Sequence, residues 1–307
     1  MEIKQLRYFV KIADLRSISK ASKALYIAQP SLSQQVANLE YELGHPLLTR
    51  LPTGVLLTEH GRILYEHAQR VLRQVEDIPT ALRTCSGGLV GTVVLGLPQS
   101  SAAGYALPLI EEAQRRFPEV TLEIFDEVAG YIPGEIDCGR FDFGIVTNDE
   151  DAGMLESAPL VDEELFLVSR PDMAPLTPTI TATQLSKLRL FLPSVGQGSR
   201  ALVDAFLKQQ DTELPRLPVL VNSVNTMRRA MLAGIAHSIM PWSALSEEAR
   251  SNVFTLTPME PSLVRRIYIS RPRNSALSKA AQAIYQLLIE TARGEVTSGR
   301  WRGVELV

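Results

Sequence analysis

Only two cysteines, Cys85 and Cys138, occur among the 307 residues. Two thiols cannot build a disulfide framework, so a reducing, cytosolic setting is expected, with both cysteines as packing residues. Long apolar runs are missing as well. No stretch approaches the roughly 20 residues that span a bilayer, which excludes a helical membrane anchor. The N-terminal residues are helix-forming and charged throughout, so no secretory leader is expected. Histidine is scarce, with four in all: His45, His60, His67 and His237. His60 and His67 could share a helix face, but no cysteine is near and Glu59 and Glu66 are ordinary neighbours, so no metal site is expected.

Catalytic signatures are equally absent. There is no Gly-x-Ser-x-Gly elbow and no Cys-x-x-Cys pair. Serines could be nominated beside Asp126 or Asp142, yet nothing pairs them. The glycine run Ser86-Gly87-Gly88-Leu89-Val90-Gly91 lacks the Walker lysine and the dinucleotide spacing, so it reads as a hinge and no cofactor is expected. An enzyme carrying a helical appendage stays as an alternative. A transport-type binding protein is a third reading, which would require export.

What is present begins with uneven charge. Residues 1–90 hold 11 Lys and Arg against 8 Asp and Glu, a net of +3, and residues 91–307 hold 20 against 26, a net of −6. These add to the net −3 of the whole chain. A basic head on an acidic body suits a nucleic-acid-binding module joined to something else. The excess is small, so one head would grip phosphates weakly and two would be needed on one duplex.

The most informative stretch is 30–43. Leu32, Val36, Leu39 and Leu43 form an apolar stripe at helical spacing. Ser31, Gln34, Gln35 and Asn38 lie on another face, where small uncharged hydrogen-bonding groups suit base edges in a major groove. Pro30 fits the first helical position, Gly44 the left-handed residue past the end, and Pro46 blocks continuation. Leu6, Phe9, Val10 and Ala13 mark an earlier helix. Ser17 or Ser19 can cap a second, with Ala21, Ala24 and Leu25 facing inward. Two short helices, the turn Ile27-Ala28-Gln29 and a polar-faced helix make a helix-turn-helix. Lys20 and Lys23 lie where phosphates would pass. Residues 46–58 read as two extended runs around a Pro-Thr-Gly turn, a wing with Arg50 as its cation.

Residues 58–82 read as one long helix. Leu64, Ala68, Val71, Val75, Ile78 and Leu82 alternate in fours and threes, the seam of a two-stranded coiled coil. The competing reading is a helix packed on its own domain. Pro79 should kink or end it, because the bond to the Val75 carbonyl is lost.

Order and spacing over about sixty residues resemble a LysR-type transcriptional regulator. The matching residues are Leu6-Arg7-Tyr8-Phe9, Ser19 to Ala24, Ala28-Gln29-Pro30-Ser31-Leu32-Ser33-Gln34-Gln35, Leu39-Glu40, Leu43-Gly44, Leu47-Leu48-Thr49-Arg50 and Leu57-Thr58-Glu59-His60-Gly61. Within that family the chain is similar to the nitrogen assimilation control group, through Tyr8-Phe9-Val10-Lys11-Ile12, Ile27-Ala28-Gln29-Pro30 and Phe191-Leu192-Pro193. It departs at Leu48, where many relatives have Phe, and at Thr53, where many have a second wing Arg. The resemblance implies DNA contacts from Gln29, Pro30, Ser31, Ser33, Gln34, Gln35 and Asn38, with Arg50, Lys20 and Lys23 on phosphates. It implies an inverted-repeat promoter site on double-stranded DNA, a dimer through the long helix and a tetramer in all, and it admits RNA polymerase as a further partner.

After Gly91 short apolar strands alternate with helices, the pattern of parallel sheets covered by helices. Strands are expected at 92–97, 121–126, 141–146, 165–169, 190–192, 219–221, 237–240 and 264–269. Helices are expected at 103–117, 200–210, 226–234 and 276–293, while Tyr131-Ile132-Pro133-Gly134 should break another early. The family likeness makes this body similar to a periplasmic binding protein, two α/β lobes joined by strands crossing near 161–163 and 263–267. The expected fold is therefore α/β: a winged helix-turn-helix (1–58), a linker helix and hinge (59–88), and a two-lobed effector domain. Lobe I takes 91–161 with 268–297, and lobe II takes 162–267.

Ligands of open α/β sheets bind beyond the C-terminal strand ends. Those ends carry Gln99, Ser100 and Ser101; Thr147 and Asn148; Gly198, Ser199 and Arg200; and Ser223, Asn225 and Thr226. Three of the four segments start helices, whose free N–H groups favour an anion. A small carboxylate or other anion is the expected effector, with Arg200 as its counter-charge. Relatives often have a second Gly where Ala236 stands, before His237, so the pocket is expected to have its own shape.

Overall fold

A computed structural model describes residues 1–307 apart from 53, 85–88, 148–154, 196–198, 215–218 and 274. Cys85, the 86–88 part of the hinge, Thr53, Asn148 and Gly198 thus lie outside the described residues. The chain divides into two compact units: 1–88 with Asp137–Arg140, and 89–136 with 141–307.

The first unit opens with α1 (Ile3–Leu15), α2 (Ile18–Leu25) and α3 (Gln29–Leu43). Ser17 caps α2 by accepting from the Lys20 N–H at 3.3 Å. Leu32, Val36 and Leu39 bury the inner face of α3 beside Tyr8, Phe9, Ile12 and Ala21. Two expected core positions are outside: Ala24 is exposed, Ser22 being buried in its place, and Leu43 is exposed on the last turn. Both lie at helix ends, where the apolar stripe runs past the neighbour it packs on. Helix α3 begins one residue earlier than the spacing suggests, which puts Pro30 in its first two positions. Gly44 ends it with φ +72°, a left-handed conformation that other residues adopt at a cost.

The wing is an antiparallel hairpin of β1 (Leu48–Leu51) and β2 (Gly54–Leu57). One Glu40 carboxylate oxygen accepts from the Leu47 and Leu48 N–H groups at 2.8 and 3.1 Å, tying the wing's first strand to α3. Gly54 has φ +142° and runs so close to the Arg16 carbonyl that a Cβ would collide with it. Thr58 then accepts from the Gly61 N–H at 2.9 Å at the start of α4 (Glu59–Thr84).

Helix α4 continues through Pro79 to Thr84, where the sequence predicts a kink or a stop. Pro79 is exposed, so water can take the carbonyl its missing N–H leaves free. The expected seam also divides. Leu64, Ala68 and Leu72 pack on Leu6 and Val10 of α1, as the competing reading had it, whereas Ile63, Val71 and Ile78 face outward. The Leu82 side chain lies outside the described set.

The second unit continues with β3 (Gly91–Pro98), α5 (Gln99–Arg116), β4 (Val120–Glu127), α6 (Ile132–Asp137), β5 (Phe143–Thr147), β6 (Leu155–Ser169), β7 (Ile180–Thr181) and α7 (Ala182–Leu185). Then come α8 (Arg200–Gln209), α9 (Val224–Leu232), β8 (Ser238–Pro241), α10 (Ser246–Arg250), β9 (Thr255–Pro272), α11 (Lys279–Thr297) and β10 (Val304–Leu306). One sheet runs in the order β10-β6-β9-β5-β3-β4, with β8 on β6. β3 pairs parallel with β4 and β5, and β7 parallel with β9, while β5 and β6 pair antiparallel with β9 and β8 and β10 pair antiparallel with β6, so the sheet is mixed. Long β6 and β9 turn the purely parallel expectation into this one, since they lie against each other along most of their length.

Segments expected as strands at 190–192 and 219–221 make only single bridges, Leu190 to His237 and Leu192 to Leu220. The break expected at Pro133 leaves a six-residue helix, α6, because a proline in the first turn removes an N–H that has no helical partner anyway. One core gathers Leu95, Leu97, Phe143, Ile267 and Ile269 under α5 and α11. Separate cores lie around Leu165, Leu167 and Val203, and around Val168, Met227 and Met240. Residues 298–307, not given an element by the sequence, bury Trp301 to 2% exposure and add β10 to the edge of β6.

Candidate functional site

In the first unit the polar face of α3 is open. Gln29, Pro30, Ser31, Gln34 and Asn38 are exposed, and Ser33 and Gln35 are half-buried at its flanks. Lys20 and Lys23 on α2 and Arg50 on the wing are exposed too. Two hydrogen bonds set the amides. The Ser19 hydroxyl donates to Gln29 Oε1 at 3.0 Å, leaving the Gln29 NH₂ to donate outward. Gln34 Nε2 donates to Asn38 Oδ1 at 2.9 Å, leaving Gln34 Oε1 as an acceptor and the Asn38 NH₂ as a donor. An outward donor beside an outward acceptor is the arrangement that reads base edges. His60, set aside above as a metal ligand, stacks on His45 with ring centres 4.0 Å apart.

In the second unit a cleft of about 520 Å³, counting the solvent at its mouth, lies among the ends of β3, β4 and β8 and the starts of α5 and α9. Gln99, Ser100 and Ser199 line it, with Glu127, Asn222, Met227, Met240 and Arg265. Ser101 is fully buried just behind. Ser223 and Asn225 line an adjoining groove with Gln99 and Asp126. Ser223 caps α9 through the Thr226 N–H at 3.3 Å, Thr226 itself is exposed, and Thr147 pairs with Ile267 in the sheet; neither threonine lines the cleft.

The counter-charge assigned to Arg200 needs correction. Its Nε donates to both Asp204 oxygens at 2.8 and 2.9 Å, an i,i+4 pair on its own helix, and a terminal nitrogen donates to the Pro193 carbonyl at 3.2 Å. The cation at the cleft is Arg265, which is 2% exposed. It donates to Glu163 Oε2 from Nε at 2.9 Å and from Nη2 at 2.7 Å, and to the Ser100 and Ser101 hydroxyls at 2.9 and 3.0 Å. The other Glu163 oxygen accepts from Trp301 Nε1 at 3.0 Å and from the Ser243 hydroxyl. The pair is thus neutralised and satisfied inside the protein, the condition under which buried charge is tolerated. Glu163 and Arg265 are directly opposite in the β6–β9 register. No motif marks them; the acid run Asp162-Glu163-Glu164 facing Arg265-Arg266 was the one available signal. Gln99 Oε1 accepts from the Val224 N–H at 3.4 Å, which ties the start of α5 to the start of α9.

Residues 3–62 match the bacterial regulatory helix-turn-helix protein, lysR family, and residues 86–293 match the LysR substrate binding domain. This chain belongs to the LysR family. It is a DNA-binding transcription regulator, and the cleft lies in its substrate binding domain. The nitrogen assimilation regulatory protein nac of Escherichia coli strain K12 is 31% identical over 303 residues, covering 98% of each chain. That supports the nitrogen assimilation subgroup at a modest level, and the relatives are regulators, not enzymes. A full-length OxyR variant from Pseudomonas aeruginosa has the same fold, with a TM-score of 0.70, 24% identity and 95% of each chain covered. So has CbnR solved in complex with its target DNA, with a TM-score of 0.67, 22% identity, and 96% of this chain and 99% of that one covered. Among the described residues no helix of this LysR regulator is long and apolar enough to cross a membrane.

His237, next to the family departure at Ala236, is buried, and its Nδ1 lies 2.7 Å from the Ser169 hydroxyl. Burial pushes its pKa below the ordinary histidine value. The folded pocket therefore refuses a proton that the unfolded chain accepts below about pH 6.5. Stability at neutral pH is unaffected by this group and declines as the pH falls through that value. His237→Asn removes this component: between about pH 7.5 and about pH 5.5 its urea midpoint falls less than that of the native protein. Parallel pH dependences in the two proteins would refute the assignment.

Proposed function

We propose that this LysR regulator binds an inverted-repeat promoter site as a dimer joined along α4, with body domains pairing to a tetramer, in the cytoplasm. The observation that carries this reading is the row of uncharged donors and acceptors on the open face of α3, backed by Lys20, Lys23 and Arg50. Gln29, Ser31, Gln34 and Asn38 meet base edges, Ser33 and Gln35 support them at the flanks, and Pro30 sets the start of the helix. The cations hold phosphates, which position without specifying. In this reading 1–58 is the DNA-binding domain, 59–88 the linker, 91–161 with 268–297 the first effector lobe and 162–267 the second. A small effector bearing an anionic group binds between the lobes at Gln99, Ser100 and Ser199. RNA polymerase is the partner that reads the bound state.

Two substitutions separate the roles at the DNA. Gln29→Ala costs about 1–3 kcal/mol and relaxes preference at one base position. Arg50→Ala weakens all sequences alike and lowers the salt slope by about one. Binding measured on a promoter fragment and on scrambled DNA, over a salt series, distinguishes them. An Arg50→Ala protein altered only in base preference would overturn the division.

A further inference from the structure

The polar groups of the cleft fall into two kinds once their internal partners are counted. The Arg265 cation is neutralised by Glu163, as described above, and both polar atoms of the Asn222 side chain are engaged by Ser194 at 2.9 and 3.3 Å. What remains at one end donates. Gln99 has its carbonyl oxygen occupied by Val224 N–H, so its NH₂ is free. The Ser100 oxygen accepts from Arg265, so its O–H is free to donate. Helix α5 starts here with no side-chain cap, leaving its first N–H groups open. Ser199, 9% exposed and lining the cleft, makes no cap bond, and its hydroxyl has no partner among the described residues. The remaining group of opposite character is the half-buried Glu127 carboxylate, at the end of β4. Apolar atoms of Val128, Met227, Ile239 and Met240 complete the wall.

We propose that the cleft takes a small α-amino acid with an aliphatic side chain. Its carboxylate accepts from Ser199, Ser100 and the first turn of α5, its ammonium donates to Glu127, and its side chain meets the methionines. This rests on the effector reading above and deepens it. A plain carboxylate satisfies the donor end but faces Glu127 uncompensated. A plain amine pairs with Glu127 but strands the donors. Each mismatch leaves a polar group desolvated and unmatched, which is what gives a binding site its selectivity.

The test is calorimetry on the full chain with two matched sets: L-leucine, isocaproate and isoamylamine; and L-alanine, propanoate and ethylamine. In at least one set the amino acid binds, and both single-function analogues bind about tenfold more weakly or worse. Glu127→Gln weakens the amino acid by a similar factor and removes its advantage over the carboxylate. Ser199→Ala weakens amino acid and carboxylate together and leaves the amine unchanged. An analogue that binds as tightly as its amino acid, an unchanged ratio in Glu127→Gln, or no binding in either set overturns the amino-acid assignment. The cleft itself is checked separately by Ala129→Trp, which fills it. Undiminished binding in that folded variant would overturn the location and with it the effector reading.

Discussion

Glu163→Gln lowers the stability of the sheet-bearing unit by about 3–5 kcal/mol, the largest effect expected of any single substitution here. Both members of the Glu163–Arg265 pair are buried, with side chains exposed by 0% and 1%. Neutralising Glu163 leaves the guanidinium charged, because an arginine does not give up its proton, and leaves it almost wholly buried without a counter-charge. Its other partners are serine oxygens, which carry no charge. The amide also presents an NH₂ where Trp301 Nε1 or the Ser243 hydroxyl donates, so one donor faces another. Removing both charges together has a different outcome. A Glu163→Met, Arg265→Met protein recovers most of the loss, since the pair's attraction largely offsets its own desolvation. The readout is specific to this unit. The only two tryptophans, Trp242 and Trp301, lie in it and are 6% and 2% exposed, so their fluorescence in urea follows its unfolding. A single-variant loss under about 1 kcal/mol would mean that water reaches the pair.

The second large effect concerns α4. Val71→Asp with Ile78→Asp halves the mass of the particle in sedimentation and weakens binding to the inverted repeat by about 100-fold or more. Ile63, Val71 and Ile78 are 48%, 41% and 54% exposed on one helix, at spacings of eight and seven. The neighbouring stripe, with Ala68 and Leu72, already packs on α1 and is not available to a partner. A helix with two apolar stripes, one docked on its own head and one bare, is suited to pairing through the bare one. Aspartates there place charge in that seam without touching the head's core. Without the α4 clasp the two heads that share one inverted repeat are no longer held together, so the second grip is no longer intramolecular, roughly half the phosphate contacts go, and the salt slope falls by about half. Unchanged mass with unchanged affinity would show that α4 is not the seam.

The DNA-binding head could be read almost completely from spacing. Its helices are amphipathic over about two to four turns, its caps are Ser17 and Gly44, and its wing lies within a dozen residues of α3, so near neighbours in the chain are near neighbours in space. The misreadings there, Ala24, Leu43 and the course of α4 past Pro79, arose at helix ends and exposed turns, where periodicity stops constraining which way a side chain faces. In α4 the periodicity was legible but the partner was not. An apolar stripe states that something covers it, and only the packing of Leu6 against Ala68 and Leu72 revealed which stripe was already covered.

The body divides along the same line. Alternating strands and helices, and the segments that open helices at the cleft, are local features and could be placed from hydrophobic pattern and cap residues. The buried charge beside the cleft could not. Arg200 stood at the right segment and proved to be held by Asp204 one turn along, while the cation that lines the cleft, Arg265, sits in a strand with no motif around it. Spacing along one helix is set by the chain itself, so the sequence was enough for the head. Glu163 meets Arg265 across 102 residues, and Trp301 reaches Glu163 across 138, through strand register and the folding back of the tail. Those meetings depend on which strands pair and in what register, and that is settled by the packing of the whole sheet.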